Sequence, residues 1–179
     1  GEVMATISAL LAFSAIKNND KVGLLIFTSE VELFIPPQKG RKHVLRVIRE
    51  LLYFEPKNRG TNLSVAFGHI VKIMNRRSVV IAISDFQDTQ FEKSLRLLKQ
   101  RHDVLAINVG DIREEELPPA GFIELEDAET GESILVDSGD RTFRAAFAKR
   151  VQRENEALEK AFKKISVDYV RIRIEENYK

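Results

Sequence analysis

The chain has 179 residues, 44% apolar and 31% charged, the balance of a soluble globular protein large enough for a core of its own. A net charge of +1 gives no global field to draw in nucleic acid or an anionic membrane, and the lack of cysteine excludes disulfides, thiol nucleophiles and cysteine–zinc sites. The longest uncharged run, 3–16, falls short of the about 20 residues of a membrane span and has no basic leader or cleavage site, so the expectation is one cytoplasmic domain over 1–179 with no membrane span.

Residues 2–17 read as a helix that is apolar nearly all round, the pattern of a buried helix. "KVGLLIF" (21–27) is a continuous apolar run of strand length, expected to be covered on both faces. After the turn "TSE", "VELFIP" (31–36) alternates until Pro36 and Pro37 stop it, which predicts an edge strand antiparallel to its predecessor. "GRKHVLRVIRELLYF" (40–54) is an amphipathic helix with Val44, Leu45, Ile48, Leu51 and Leu52 inward. Its basic face, Arg41, Lys42, Arg46 and Arg49, reads as solvated, since no aromatic residues interleave with the charges. "TNLSVAFGHIVKIMN" (61–75) is a second helix, capped by Thr61 or Asn62.

"SVVIAIS" (78–84) is the most buried-looking strand, and it ends on the carboxylate of Asp85. "TQFE" (89–92) has the Thr-x-x-Glu form that opens a helix, here through Gln100. "DVLAINV" (103–109) is another covered strand, "GFIELED" and "ESILVDS" make a hairpin around "AETG", and 140–165 is a long helix lined by Phe143, Phe147, Val151, Leu158, Phe162 and Ile165. Glu156–Lys160 and Glu159–Lys163 are spaced as helix ion pairs, and "VDYVRIRI" (167–174) closes as an alternating strand. Strands alternating with helices imply an α/β three-layer sandwich with a mostly parallel sheet, whose ligands bind at the carboxyl ends of the strands. Asp85 stands at such an end. It is either part of a site or a carboxylate that settles into a cap or a loop hydrogen bond. His43, His69 and His102 fall on separate elements and read as surface or boundary residues, "REEEL" (113–117) as a solvated acidic loop. No HExxH, GxSxG or phosphate-loop pattern occurs.

The stretches "NNDKVGLLIFTSEVELFIPPQKGRKHVLRVIREL", "RGTNLSVAF", "VVIAISDFQD" and "RHDVLAINVGDIREEELPPAGFIELEDAETGE" together resemble the bacterial family called domain of unknown function 58, over nearly the whole chain. The family's domain is similar to the von Willebrand factor A fold, in which magnesium sits at the top of the sheet in a metal-ion-dependent adhesion site. The resemblance implies that Thr61 and Asp85 match two of its ligands, with Ser29, Gly60, Asn62, Ser84 and Phe86 on the surrounding partner-binding rim. The third contribution, an Asp-x-Ser-x-Ser loop after a first central strand, is missing from this sequence.

The resemblance therefore makes the chain an N-terminally truncated domain, with Gly1 a tag remnant. It predicts no bound metal in this chain, and magnesium only in the intact parent protein. The absent strand would leave a gap between 21–27 and 78–84, filled by residues outside this sequence, by a second copy in a homo-oligomer, or closed by direct pairing of the two strands, in that order of preference. The implied function is a non-catalytic protein-interaction module whose partner is a MoxR-type AAA+ ATPase, with no role in nucleic-acid binding. The competing class is an enzyme on a doubly wound sheet, a phosphoryl-transfer or receiver-type domain centred on Asp85. A receiver needs an acidic pair and a lysine after separate strands, and neither is found.

Overall fold

Amphipathic and apolar runs become a mixed α/β fold, with one parallel three-stranded sheet and two antiparallel hairpins among the described residues. The computed structural model describes residues 2–58, 60–88, 90–111, 117–126 and 133–174. In chain order the elements are α1 (Glu2–Lys17), β1 (Val22–Phe27), β2 (Val31–Gln38), α2 (Arg41–Leu52), α3 (Leu63–Ile73), β3 (Val79–Ser84), α4 (Glu92–Arg101), β4 (Asp103–Asp111), β5 (Phe122–Glu126), β6 (Ser133–Asp137), α5 (Arg141–Ile165) and β7 (Asp168–Ile174). They form two compact units, Gly1–Arg77 with Gln87–Arg101, and Ser78–Phe86 with His102–Lys179.

In the first unit β1 and β2 pair antiparallel around a turn closed by Thr28 N–H donating to Glu30 O at 2.8 Å. β2 does not stop at its prolines but runs through both to Gln38. The register slips between Val22 and Leu24, and this bulge on an edge strand absorbs the missing proline N–H groups. Gly23 makes the approach possible: a Cβ there would stand 3.0 Å from both Ile35 O and Pro37 Cγ. α1 ends where Asn19 turns left-handed at φ 55° and Asp20 N–H donates to Ala15 O, so "NND" stops the helix by backbone geometry.

α1 packs on α2 through Ala12, Val44 and Ile48, with Ala9, Ile16 and Val22 alongside. α1 is not the buried helix its composition predicts, for Leu10 and Phe13 are exposed. Its small residues face α2, and among the described residues no element covers Leu10 and Phe13. α2 also differs from expectation. Val44, Val47 and Ile48 are buried, whereas Leu45 and Leu52 point outward. At about 100° per residue they fall a quarter-turn or so from the buried seam. α3 and α4 join through Leu63, Ala66, Phe67, Phe91, Leu95 and Leu98, the rings of Phe67 and Phe91 meeting edge to face at 6.4 Å. Thr89, the expected start of the α4 cap, lies outside the described residues.

In the second unit the sheet order is β3–β4–β7, all parallel. The buried strand is β4, with Val104, Ala106, Ile107 and Val109 inside, and not β3, where Val79 and Ile81 are exposed. Among the described residues β4 has a neighbour on each side, β3 has one, and β1 likewise has the single partner β2. α5 is capped by Asp140, which accepts from Thr142 N–H at 2.8 Å. Its Glu159–Lys163 pair closes at 2.6 Å, and Glu156 accepts from Gln152 Nε2. Phe162, fully buried near the end of α5, stacks on Tyr169 of β7 at 4.9 Å and meets the Phe86 ring edge-on at 5.1 Å. The β5–β6 hairpin is tied at its base by buried Ser138, whose Oγ donates to Gly121 O at 2.7 Å and accepts from Ala120 N–H at 3.1 Å. The "AETG" and "REEEL" loops fall almost entirely outside the described residues.

Candidate functional site

The loop before α3 is held by a carboxylate 25 residues upstream. Glu32 of β2 accepts from the Thr28 hydroxyl at 2.6 Å, from Lys57 N–H at 2.8 Å and from Asn58 N–H at 3.0 Å. The Thr28 hydroxyl, then the amides of Lys57 and Asn58, hold the Glu32 carboxyl below its ordinary value. Asn58 Nδ2 reaches Glu30 at 2.7 Å, and Asn62 N–H donates to Thr28 O at 2.9 Å. The β1–β2 turn and the 57–62 loop are thus sewn into one rim. Gly60 adopts φ 80°, a left-handed turn that glycine enters without strain.

Of the two cap residues the sequence allows, Asn62 caps α3, its Oδ1 accepting from Val65 N–H at 3.0 Å. Asp88 adds a second acceptor at the same helix start: Oδ2 takes Leu63 N–H at 2.9 Å while Oδ1 takes Gln90 N–H at 2.8 Å. A carboxylate there satisfies an otherwise orphaned amide and complements the helix dipole. Thr61, between the Gly60 turn and the Asn62 cap, is half-buried, and among the described residues its hydroxyl makes no hydrogen bond. Ser29 is exposed on the turn. The first unit thereby brings Ser29, Gly60, Thr61 and Asn62 onto one hydrogen-bonded loop system.

The second unit carries Ser84, Asp85 and Phe86 at the carboxyl end of β3. Ser84 Oγ donates to Asp85 Oδ1 at 3.2 Å and accepts from Phe86 N–H at 3.1 Å. Phe86 is non-glycine at φ 54°, an uncommon conformation, here backed by its ring packed against Phe162. Ser84 and Phe86 are buried, at 5% and 4% exposure, so they support Asp85 from beneath and do not face a partner. Asp85 itself is half-buried, and α4 begins seven residues later.

Sequence reasoning missed Glu32, Asn58 and Asp88, because each bonds across 25 to 28 residues and has no local pattern. The histidines scatter as expected. His43 Nε2 lies 2.8 Å from Val22 O, and His69 meets Phe34 edge-on, but His102 is buried at 1% exposure, neither surface nor boundary.

The family model described as "Protein of unknown function DUF58" matches residues 1–157. The chain belongs to the DUF58 family. It is 32% identical over 127 residues to uncharacterised proteins of Mycobacterium bovis and Mycobacterium tuberculosis, covering 69% of this chain and 40% of theirs. An uncharacterised protein of Mycobacterium avium is 33% identical over 100 residues, covering 54% of this chain and 59% of its own. This DUF58 chain therefore spans less than half the length of the first two relatives. Among solved structures it is similar to the conserved hypothetical protein BatB of Bacteroides thetaiotaomicron, with TM-score 0.56, 16% identity, and coverage of 97% of this chain and 81% of that one. It is also similar to an aerotolerance-related membrane protein of Bacteroides fragilis, with TM-score 0.57, 14% identity and coverage of 94% and 80%. Both likenesses concern the fold alone.

Proposed function

We propose that this DUF58 chain is a non-catalytic protein-interaction module of von Willebrand factor A-like, three-layer type, docking a partner at the carboxyl ends of its strands. The partner is a MoxR-type AAA+ ATPase, in the cytoplasm where ATP is supplied. The observation that carries the reading is the 57–62 loop. Its backbone is held at Lys57 and Asn58 by Glu32 and at Asn62 by Thr28 O, and it presents Thr61 at a helix start. A loop ordered beforehand binds without the entropy cost of being ordered on contact.

Thr61 and Asp85 supply one hydroxyl and one carboxylate. Magnesium takes an octahedral set of hard oxygens, and among the described residues no three of His, Asp and Glu gather into a metal-holding group. This donor set does not fit magnesium unaided. The ion enters the reading only as a bridge in a longer DUF58 protein that brings further oxygens. Titration calorimetry of this chain with magnesium should therefore give no micromolar binding; such binding, abolished by Asp85→Ala, would contradict the assignment.

Calorimetry of the chain with a purified MoxR-type ATPase tests the partner. Thr61→Ala and Asp85→Ala should each weaken binding about tenfold, the cost of one hydrogen bond involving a charged group, with circular dichroism unchanged. Unaltered affinity in both variants overturns the reading. So does turnover of phosphate-ester or acyl substrates that disappears in Asp85→Ala.

A further inference from the structure

The outer side of α2 carries charge that the net value of the chain conceals. Between Lys39 and Tyr53 stand five cations, Lys39, Arg41, Lys42, Arg46 and Arg49, against the single carboxylate of Glu50, on a chain whose net charge is +1. All five cations are exposed. Glu50 answers Arg49 at 3.2 Å. The sequence reading of a solvated face rests on the lack of aromatic residues among the charges and on Leu45 and Leu52 facing inward; the structure turns both leucines outward, with Tyr53 beside them. Leu45 is 43% exposed, Leu52 54% and Tyr53 81%. At about 100° per residue, Arg41, Leu45 and Leu52 fall in one outward arc, and Lys42, Arg46, Arg49 and Tyr53 in the adjoining one. The opposite side is fixed, because Val44, Val47 and Ile48 are buried and α1 packs on it. The helix cannot roll to hide its leucines.

We propose that this face is a membrane-surface contact that takes the anionic headgroup layer of a lipid bilayer. Charge complementarity selects an anionic surface, and the leucines decide which kind. Leu45 and Leu52 offer nothing to a nucleic-acid phosphate and would stay wet beside it. In a bilayer they reach the acyl boundary, while the arginine and lysine heads remain among the phosphates and Tyr53 sits at the interface. A helix held flat by its buried side presents these tips to a plane. The contact is reversible and salt-sensitive, since each basic residue near such a surface contributes roughly fivefold to partitioning.

Sedimentation of the full chain with vesicles decides the matter, using phosphatidylcholine alone or mixed with phosphatidylserine. The chain should pellet with the serine-containing vesicles only, and added salt should release it. Arg41→Gln with Arg46→Gln should weaken partitioning about 25-fold, two basic residues' worth. Leu52→Ser should weaken it separately, and both sets should leave circular dichroism and ATPase binding unchanged, since these side chains are exposed. Equal binding to neutral vesicles, no binding to anionic ones, or indifference to the variants overturns the proposal. Displacement by soluble polyglutamate with no effect of Leu52→Ser also overturns it, in favour of an acidic protein.

Discussion

Glu32 accepts from the Thr28 hydroxyl and from the backbone N–H groups of Lys57 and Asn58, and the last two bonds order the loop before α3. Because Thr28, Lys57 and Asn58 favour its charged form, its folded pKa lies below the ordinary value of 4.5. A depressed pKa gives stability that is fully present above the unfolded value and is lost as pH falls through the folded one. Thermal unfolding followed from neutral pH down through the carboxylate range should show this loss. In Glu32→Gln the neutral-pH midpoint should be lower and the acid fall shallower, because the amide NH2 of glutamine confronts an N–H of Lys57 or Asn58. An unchanged acid profile in that variant would mean that the clamp contributes nothing to stability.

At the scale of elements, helices α2, α3 and α5 were legible from apolar spacing, and so was the antiparallel pairing of 21–27 with 31–36, though not the extension of β2 through both prolines to Gln38. The ranking of strands was not. "VVIAIS" and "VLAINV" are equally apolar, and among the described residues β4 has two strand neighbours where β3 has one, which is why β4 is the more buried. α1 misled for a related reason: composition reports what could be covered, not what covers it. At the candidate site, the sequence narrowed the α3 cap to Thr61 or Asn62, of which the structure selects Asn62, and placed Asp85 at the strand end, since local geometry governs both. The inward turn of Phe86 was not legible, because its φ of 54° depends on a ring in α5, 76 residues on. That ring cluster holds the end of β3. Phe86→Ala should cost about 3–5 kcal/mol in urea unfolding; a loss below about 1 kcal/mol would show that the left-handed strain cancels the packing.

For the molecule as a whole, the open edges matter most. Among the described residues β1 and β3, apolar but for Gly23 and Ser84, have one strand partner each, and Val79 is 71% exposed. Unpaired apolar edges recruit other strands. Light scattering of this chain should show association that rises with concentration, and Val79→Lys should reduce it; a strict monomer at all concentrations would refute this. The parallel order β3–β4–β7 also has a consequence in time. The first unit is complete once Arg101 has been made, but β3 lacks β4 until Asp111, and β4 lacks β7 until Ile174. At roughly 5–20 residues per second, a nascent apolar strand waits several seconds on the ribosome before its sheet can close. The interval in which this protein is most in need of a chaperone is therefore set by the 25-residue span of α5 and the hairpin before it.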